Sequence, residues 1–309
     1  LPDTLDSAIA NKKLSDEFHM SNVHLIMVDS SLDAKSKKEI LNKVEDVDGV
    51  KWALGLNSVT GEMIPDSMVP KKLTSKLKSD NYEIMFVCSD YSAATDEVNA
   101  QIASINDIVK SYDPTGMVIG EAPLMKDLED TTSVDLVTVN TVSILAIFVI
   151  VMIVFKSISL PAILVTVIEF AIFVNMAFSY YRGISQPFVA PIVVGTIQLG
   201  ATVDYAILMT NRYKTERMAG KEKHEAISIA HKTSFKSILT SGLSLFAATI
   251  GVALYSNIDM IRSIVILLCR GAIISMIIVL VLLPAMLTLF DKVICYTTIG
   301  MRGCAKKQK

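Results

Sequence analysis

The sequence predicts a polytopic α-helical membrane protein, five spans long, with an α/β domain ahead of its helices. Three observations carry that reading. Of 309 residues, 51% are hydrophobic and 19% charged, with a mean hydropathy of +0.48, whereas soluble globular chains carry about 25% charged residues. The formal charge of −2 joins unlike halves: residues 1–135 hold 13 Lys+Arg against 24 Asp+Glu, a balance of −11, and residues 136–309 hold 16 against 7, a balance of +9. Strand-like and helix-like patterns alternate through the acidic half, while the basic half consists of long apolar runs. These properties exclude a nucleic-acid binder with a general basic field, a disordered acidic tail and a disulfide-stapled miniprotein. Cys88, Cys269, Cys295 and Cys304 stand far apart with no CxxC pair and no zinc motif. The chain starts at Leu1 without a signal peptide, which reads as a fragment of something longer.

In the acidic half, Val23 to Asp29 is apolar and β-prone, and Asp33 to Asp46 opens on a capping acid and puts Ile40, Leu41 and Val44 on one helical face. Val50 to Leu56 is a second strand candidate. Tyr82 to Ser89 alternates as a third, Thr95 to Ser111 is helical, and Gly116 to Gly120 is a short last strand. Between the second and third strands lies a Pro-interrupted helical insertion at Pro65 to Lys78. The order βαβ, insertion, βαβ is that of a ferredoxin-like unit. With no glycine-rich phosphate loop, no His cluster and no nucleophile beside a base, residues 1–133 form a domain for binding, gating or docking rather than catalysis.

A spanning helix needs about 20 apolar residues, and residues 134–292 supply five such runs: Leu136–Phe155, Ile158–Tyr180, Pro187–Thr210, Ile238–Tyr255 and Gly271–Phe290. Orientation follows from the basic residues. Arg212, Lys214, Arg217, Lys221, Lys223, Lys232 and Lys236 crowd the loop at 211–236, and Lys292, Arg302, Lys306, Lys307 and Lys309 follow the last span. The turn at 181–186 offers only Arg182. The positive-inside rule places the 211–236 loop and the 293–309 tail in the cytoplasm, so five spans put residues 1–133 outside. Glu222 to Lys232 reads as a short surface helix held by anionic lipid, and Asn257 to Cys269 as an external interfacial helix bending into the fifth span near Arg270-Gly271. Arg270 is expected to anchor to headgroups.

Ionisable groups inside a membrane are costly, about 2.5–3.5 kcal/mol for Asp at a helix centre. Asp204 stands in the third span, four residues after Gly200 and so on the same face, with the Tyr205 hydroxyl next in sequence. Desolvation favours proton uptake by such a carboxylate, which suits a proton relay through Asp204 and Tyr205. The alternative is that Asp204 snorkels or pairs with Arg212. Gly195 and Gly200 are small enough for close helix packing. Glu169, near the middle of the second span, either binds a proton or caps a polar cluster with Gln198 and Asn175. Thr240, Ser241 and Ser244 are within reach of Asp204 or satisfy their own backbone. No metal site and no cofactor other than the coupling proton is called for.

The run Gly200-Ala201-Thr202-Val203-Asp204-Tyr205-Ala206-Ile207-Leu208, then Asn211-Arg212-Tyr213, Thr240-Ser241, and Arg270-Gly271-Ala272 through Leu283-Pro284-Ala285 resembles the MMPL-type branch of the RND transporter superfamily. The opening Leu1-Pro2 and Leu14-Ser15-Asp16-Glu17-Phe18 are similar to the segment after the first helix of an RND repeat. The resemblance covers nearly the whole chain. It implies one repeat without its leading helix, the C-terminal one by its basic tail, and a non-enzymatic secondary transporter of the cytoplasmic membrane. It also implies proton antiport driving export of lipids or other hydrophobic compounds, with Asp204 and Tyr205 facing the pair of the other repeat, without which the chain does not transport. A Patched-like or sterol-sensing receptor and a SecDF-like protein-export motor remain alternatives on the same fold. Implied partners are the hydrophobic substrate, the other repeat and anionic lipids, not nucleic acid.

Overall fold

The computed structural model describes residues 5–56, 58, 75–184 and 186–301. Most of the expected insertion at Pro65 to Lys78, together with Leu1-Pro2, Cys304 and the basic residues from Arg302 onward, lies outside the described residues. The chain divides into two compact units, Leu1–Thr131 and Thr132–Lys309.

The first unit runs α1 (Asp6–Phe18), β1 (Asn22–Asp29), α2 (Ala34–Glu45), β2 (Val50–Leu54), β3 (Tyr82–Ser89), α3 (Asp96–Tyr112) and β4 (Met117–Ile119). The strands form one antiparallel sheet in the order β2-β3-β1-β4. β1 buries Asn22, His24, Ile26 and Val28, alternate residues on the helix-covered face. Ile40, Leu41 and Val44 of α2 and Ile105 and Val109 of α3 close the core over Met85 and Val87. Both helices are capped: Asp33, the capping acid expected from the sequence, accepts from Ser36 N at 3.1 Å, and Thr95 accepts from Val98 N at 3.3 Å. Lys37 ties α2 to β3 through a buried 2.7 Å bond to Glu83. α1 buries no residue, and its sequence offers no apolar stripe by which to foresee it.

His24 is fully buried on the core face of β1. Burial lowers its pKa from the ordinary 6.5, and Gln101 beside it pushes weakly the other way. The folded state therefore resists a proton that the unfolded chain accepts, so stability is complete above about pH 6.5 and falls as pH drops through that value. Urea unfolding followed by Trp52, the sole tryptophan, should show a lower midpoint at mildly acidic than at neutral pH. His24→Leu should flatten that difference. Asp113 acts only at lower pH. Its burial is outweighed by bonds from Asp29 N at 2.7 Å and from Thr115 N and Oγ1 at 2.9 and 2.7 Å, which hold it below the usual carboxylate range.

The second unit is helical. α4 (Glu121–Phe155) enters it from residue 132, followed by α5 (Ser159–Tyr181), α6 (Ala190–Met218), α7 (Lys223–Tyr255), α8 (Asp259–Leu289) and α9 (Asp291–Thr297). The first five are long and apolar enough to cross a membrane. α8 packs on α5, α6 and α7, and α6 on α5 and α7. α4 is peripheral: its apolar window is 6% buried against 50% for α5, and its packed stripe ends in Ile147, Val151 and Phe155. Because lipid is as apolar as Leu, helix association here rests on close fit. Ala226, Ala230, Ser234, Ile238 and Gly242 accordingly stand four apart on the buried face of α7. A Cβ on Gly242 would lie 2.9 Å from Met276 Sδ.

Four helices are longer than their sequences suggest, and α4 already begins at Glu121, well ahead of the expected span start at Leu136. The expected surface helix at Glu222 to Lys232 is the first third of α7, since no breaker follows Lys232 and the four-residue small stripe runs straight through it. Likewise Asn257 to Cys269 is not a separate interfacial helix: α8 continues from Asp259 through Gly271 to Leu289. α6 carries on past Thr210 through the basic string to Met218.

Candidate functional site

α6 presents two faces. Val194, Gln198, Thr202, Tyr205, Met209 and Tyr213 are buried, whereas Ile197, Gly200, Asp204 and Asn211 point away from the unit. Consecutive residues are about 100° apart on a helix, so Asp204 and Tyr205 diverge: Asp204 is exposed while the Tyr205 ring is 6% exposed in the core cluster. The Tyr205 hydroxyl lies beside Ser241 of α7, itself exposed. Among the described residues Asp204 makes no ion pair with Arg212 or any other cation. A Cβ at Gly195 or Gly200 would meet nothing within 4 Å, so neither glycine closes a helix contact within this chain. Gly200 shares the outward face with Asp204. Ser244 bonds its own helix, Oγ to Thr240 O at 2.7 Å.

The structure brings Asn175 and Gln198 together in a buried hydrogen-bonded cluster. Asn175 Nδ2 donates to Gln198 Oε1 at 2.9 Å and Leu267 O at 3.1 Å, and Gln198 Nε2 donates to Ser275 Oγ at 2.8 Å. Arg270, expected at the headgroups, instead turns inward. Its Nε donates to Asn175 Oδ1 at 2.8 Å and its Nη2 to Asn175 O and Ser179 Oγ at 2.7 Å each, while its guanidinium stacks 4.6 Å from the Phe178 ring centre. Every polar atom of the buried Asn175 side chain is thereby used, as a low-dielectric setting demands. Gly271 makes room for it: a Cβ there would stand 2.6 Å from Gln198 Oε1 and 2.7 Å from Asn175 Nδ2. Gly271→Val should therefore break the network and lower the thermal midpoint of the purified chain, whereas Gly251→Ala, at a glycine with open space, should leave it unchanged. Glu169 and Ser241 are not members. Ser241 belongs with Tyr205, and Glu169 lines a separate cavity with residues of α4 and α6.

One constellation escaped the sequence reading. Asp291, at the start of α9, accepts Arg217 Nε and Nη2 at 2.9 and 2.7 Å as a bidentate pair, and the Tyr213 hydroxyl at 2.5 Å. Arg217 and Asp291 side chains are 4% and 2% exposed. Tyr213 and Arg217 are four apart, hence on one face of α6, which was visible. Their partner, 74 residues further on, was not.

Five apolar membrane-length helices joined to an α/β domain define a multi-pass membrane protein. The model of the MMPL family matches residues 7–306, and the chain belongs to that family of membrane transport proteins. It is 26% identical over 231 residues to YdgH of Bacillus subtilis (strain 168), which carries a membrane-protein name, covering 73% of this chain and 25% of that protein. Over 184 residues it is 27% identical to MmpL4 of Mycobacterium leprae (strain TN), which carries a transport-protein name, covering 56% and 18%. The chain thus spans a quarter or less of the length of these relatives.

Proposed function

We propose that the chain is one repeat of a proton-driven exporter of lipids or other hydrophobic compounds in the cytoplasmic membrane, with Asp204 and Tyr205 as its half of the proton relay and residues 1–133 on the outer side. The observation that supports this reading most is the exposure of Asp204. A carboxylate at an apolar helix face costs about 2.5–3.5 kcal/mol, and among the described residues none forms an ion pair with it. The face of α6 that carries Gly200 and Asp204 is where a second repeat would bring its own polar groups and cover the charge. Tyr205, fixed in the core one residue away, would link that face to the helix packing, so that proton binding at Asp204 shifts how α6 sits against α7 and α8. One elementary charge moving through 100 mV supplies about 2.3 kcal/mol, enough to bias two packings of similar energy.

The excess of Lys and Arg in the 211–236 stretch supports an outer position for residues 1–133 by the positive-inside rule, and with it an outward path for substrate through the α/β domain. Deleting the gene and measuring cellular lipid content and hydrophobic-dye retention beside the yield of secreted proteins tests the export reading. Accumulated lipid or dye with normal secretion is expected. Lost secretion with unchanged lipid and dye would favour the protein-export motor, and unchanged transport of all three a receptor.

A further inference from the structure

Glu169 lies ten residues from the start of α5 at Ser159 and twelve from its end at Tyr181, about 15 and 18 Å at 1.5 Å per residue, and hence at mid-depth of a bilayer. Its Oε1 is enclosed and accepts no hydrogen bond from any described residue. The side chain lines a cavity of about 290 Å³ between α4, α5 and α6. Leu136, Val139, Ile172, Phe173 and Met176 make most of that cavity apolar. Its other polar linings do not serve the carboxylate: the Thr196 hydroxyl is committed to Ile192 O at 2.8 Å, and no bond joins Glu169 to Asn140 among the described residues. An enclosed carboxylate oxygen without a donor is costly in hydrocarbon, and a ligand that brings N–H donors and positive charge removes that cost through a charge-assisted bond.

We propose that this cavity is a binding site for amphiphilic amines, with the ammonium on the Glu169 carboxylate and the apolar body against Val139, Ile172 and Phe173. The site is separate from Asp204 and Tyr205 and stands whether or not they carry the coupling proton. Its volume, near the lower end of the roughly 300–1,000 Å³ of small-molecule sites, fits a single alkyl chain or a compact ring system better than a whole lipid. The same ammonium chemistry also occurs in aminophospholipid headgroups, and the test separates the two sources.

The full chain in phosphatidylcholine nanodiscs is labelled at neutral pH with decylamine carrying a diazirine, and the labelled peptides are mapped by mass spectrometry. Saturable labelling is expected around Leu136–Asn140, Ile172–Met176 and Pro191–Thr196, displaced by decylamine and not by decanol. Glu169→Gln keeps the shape and removes the charge, and should raise the half-saturating concentration by about tenfold or more. Gly195→Leu leaves the carboxylate and fills the cavity. Since a Cβ at Gly195 meets nothing within 4 Å, the variant should fold with an unchanged thermal midpoint and lose labelling. Suppression of labelling in nanodiscs containing phosphatidylethanolamine would assign the site to a lipid headgroup; undiminished labelling there would assign it to a free amine. Equal displacement by decanol, or labelling indifferent to Glu169→Gln, would overturn the proposal.

Discussion

Asp204→Asn in the full-length transporter should abolish gradient-driven export while leaving the protein abundant in the membrane. Asn keeps the shape and hydrogen-bonding capacity of Asp but cannot take up a proton between pH 5 and 8, so a coupling role is lost outright. A structural role predicts something else. Were Asp204 held by a cation, its removal would strand that charge in hydrocarbon and cost about 3–5 kcal/mol of stability. Here Asp204 is exposed and has no ion pair among the described residues. Neutralising it should instead ease insertion by part of the about 2.5–3.5 kcal/mol that an intramembrane Asp costs. Inverted vesicles with an imposed proton gradient read both properties, transport from dye accumulation and abundance by immunoblot. Accumulation at wild-type rate would sink the relay, and loss of protein would favour the structural role. Tyr205→Phe should fall between the two, because the buried ring keeps its packing while the hydroxyl beside Ser241 is removed.

The parts of this molecule that were legible in the sequence are those decided by local pattern. The five spans follow from apolar length. The sheet follows from alternation such as that of Tyr82 to Ser89, and the cap Asp33 from side-chain chemistry at a helix start. Asp204 stood out because a charge in an apolar run is conspicuous wherever its neighbours are. What failed depended on distant partners or on signals that are only statistical. Gly271 looked like a bend next to Arg270, yet it is the gap that admits Gln198 and Asn175, and Arg270 turns inward because Asn175 and Ser179 on α5 offer acceptors 91 to 95 residues away. The basic stretch after Thr210 read as a loop because charge normally ends a span, but Tyr213 and Arg217 extend α6 by facing Asp291. Glu169 was grouped with Gln198 on polarity alone. Helical phase separates them: Asn175 and Ser179 share the Arg270-facing side of α5, and Glu169, six residues before Asn175, is turned toward α4.

The second large effect belongs to that Arg217–Asp291 pair. Around it, α9 closes one end of the helical unit. Lys214 Nζ donates to Phe155 O at 2.7 Å, Ile299 N to Lys156 O at 3.0 Å, and Thr298 Oγ1 to Ser157 Oγ at 2.8 Å. The end of α6, the turn after α4 and the end of α9 are thus held together, with Asp291 at the centre. Asp291→Ala removes the acceptor of a bidentate guanidinium and of a buried phenol at once, taking from the Arg217 charge its Asp291 counter-ion in a site that is 4% exposed. The expected loss is about 3–5 kcal/mol, a fall of about 10 °C in thermal midpoint for a unit of this size. Arg217→Met should cost as much, stranding the carboxylate. The double variant Arg217→Met with Asp291→Leu removes both charges and their desolvation together, and should recover most of that loss. Cys269 and Cys295 are buried, so a maleimide dye that fluoresces on reacting with thiols reports unfolding directly in detergent, in a Cys304→Ser background. Single variants that melt with the parent would show that the pair adds nothing. A double variant no better than either single would show that Tyr213, left without its acceptor, carries the cost, and adding Tyr213→Phe should then restore the midpoint.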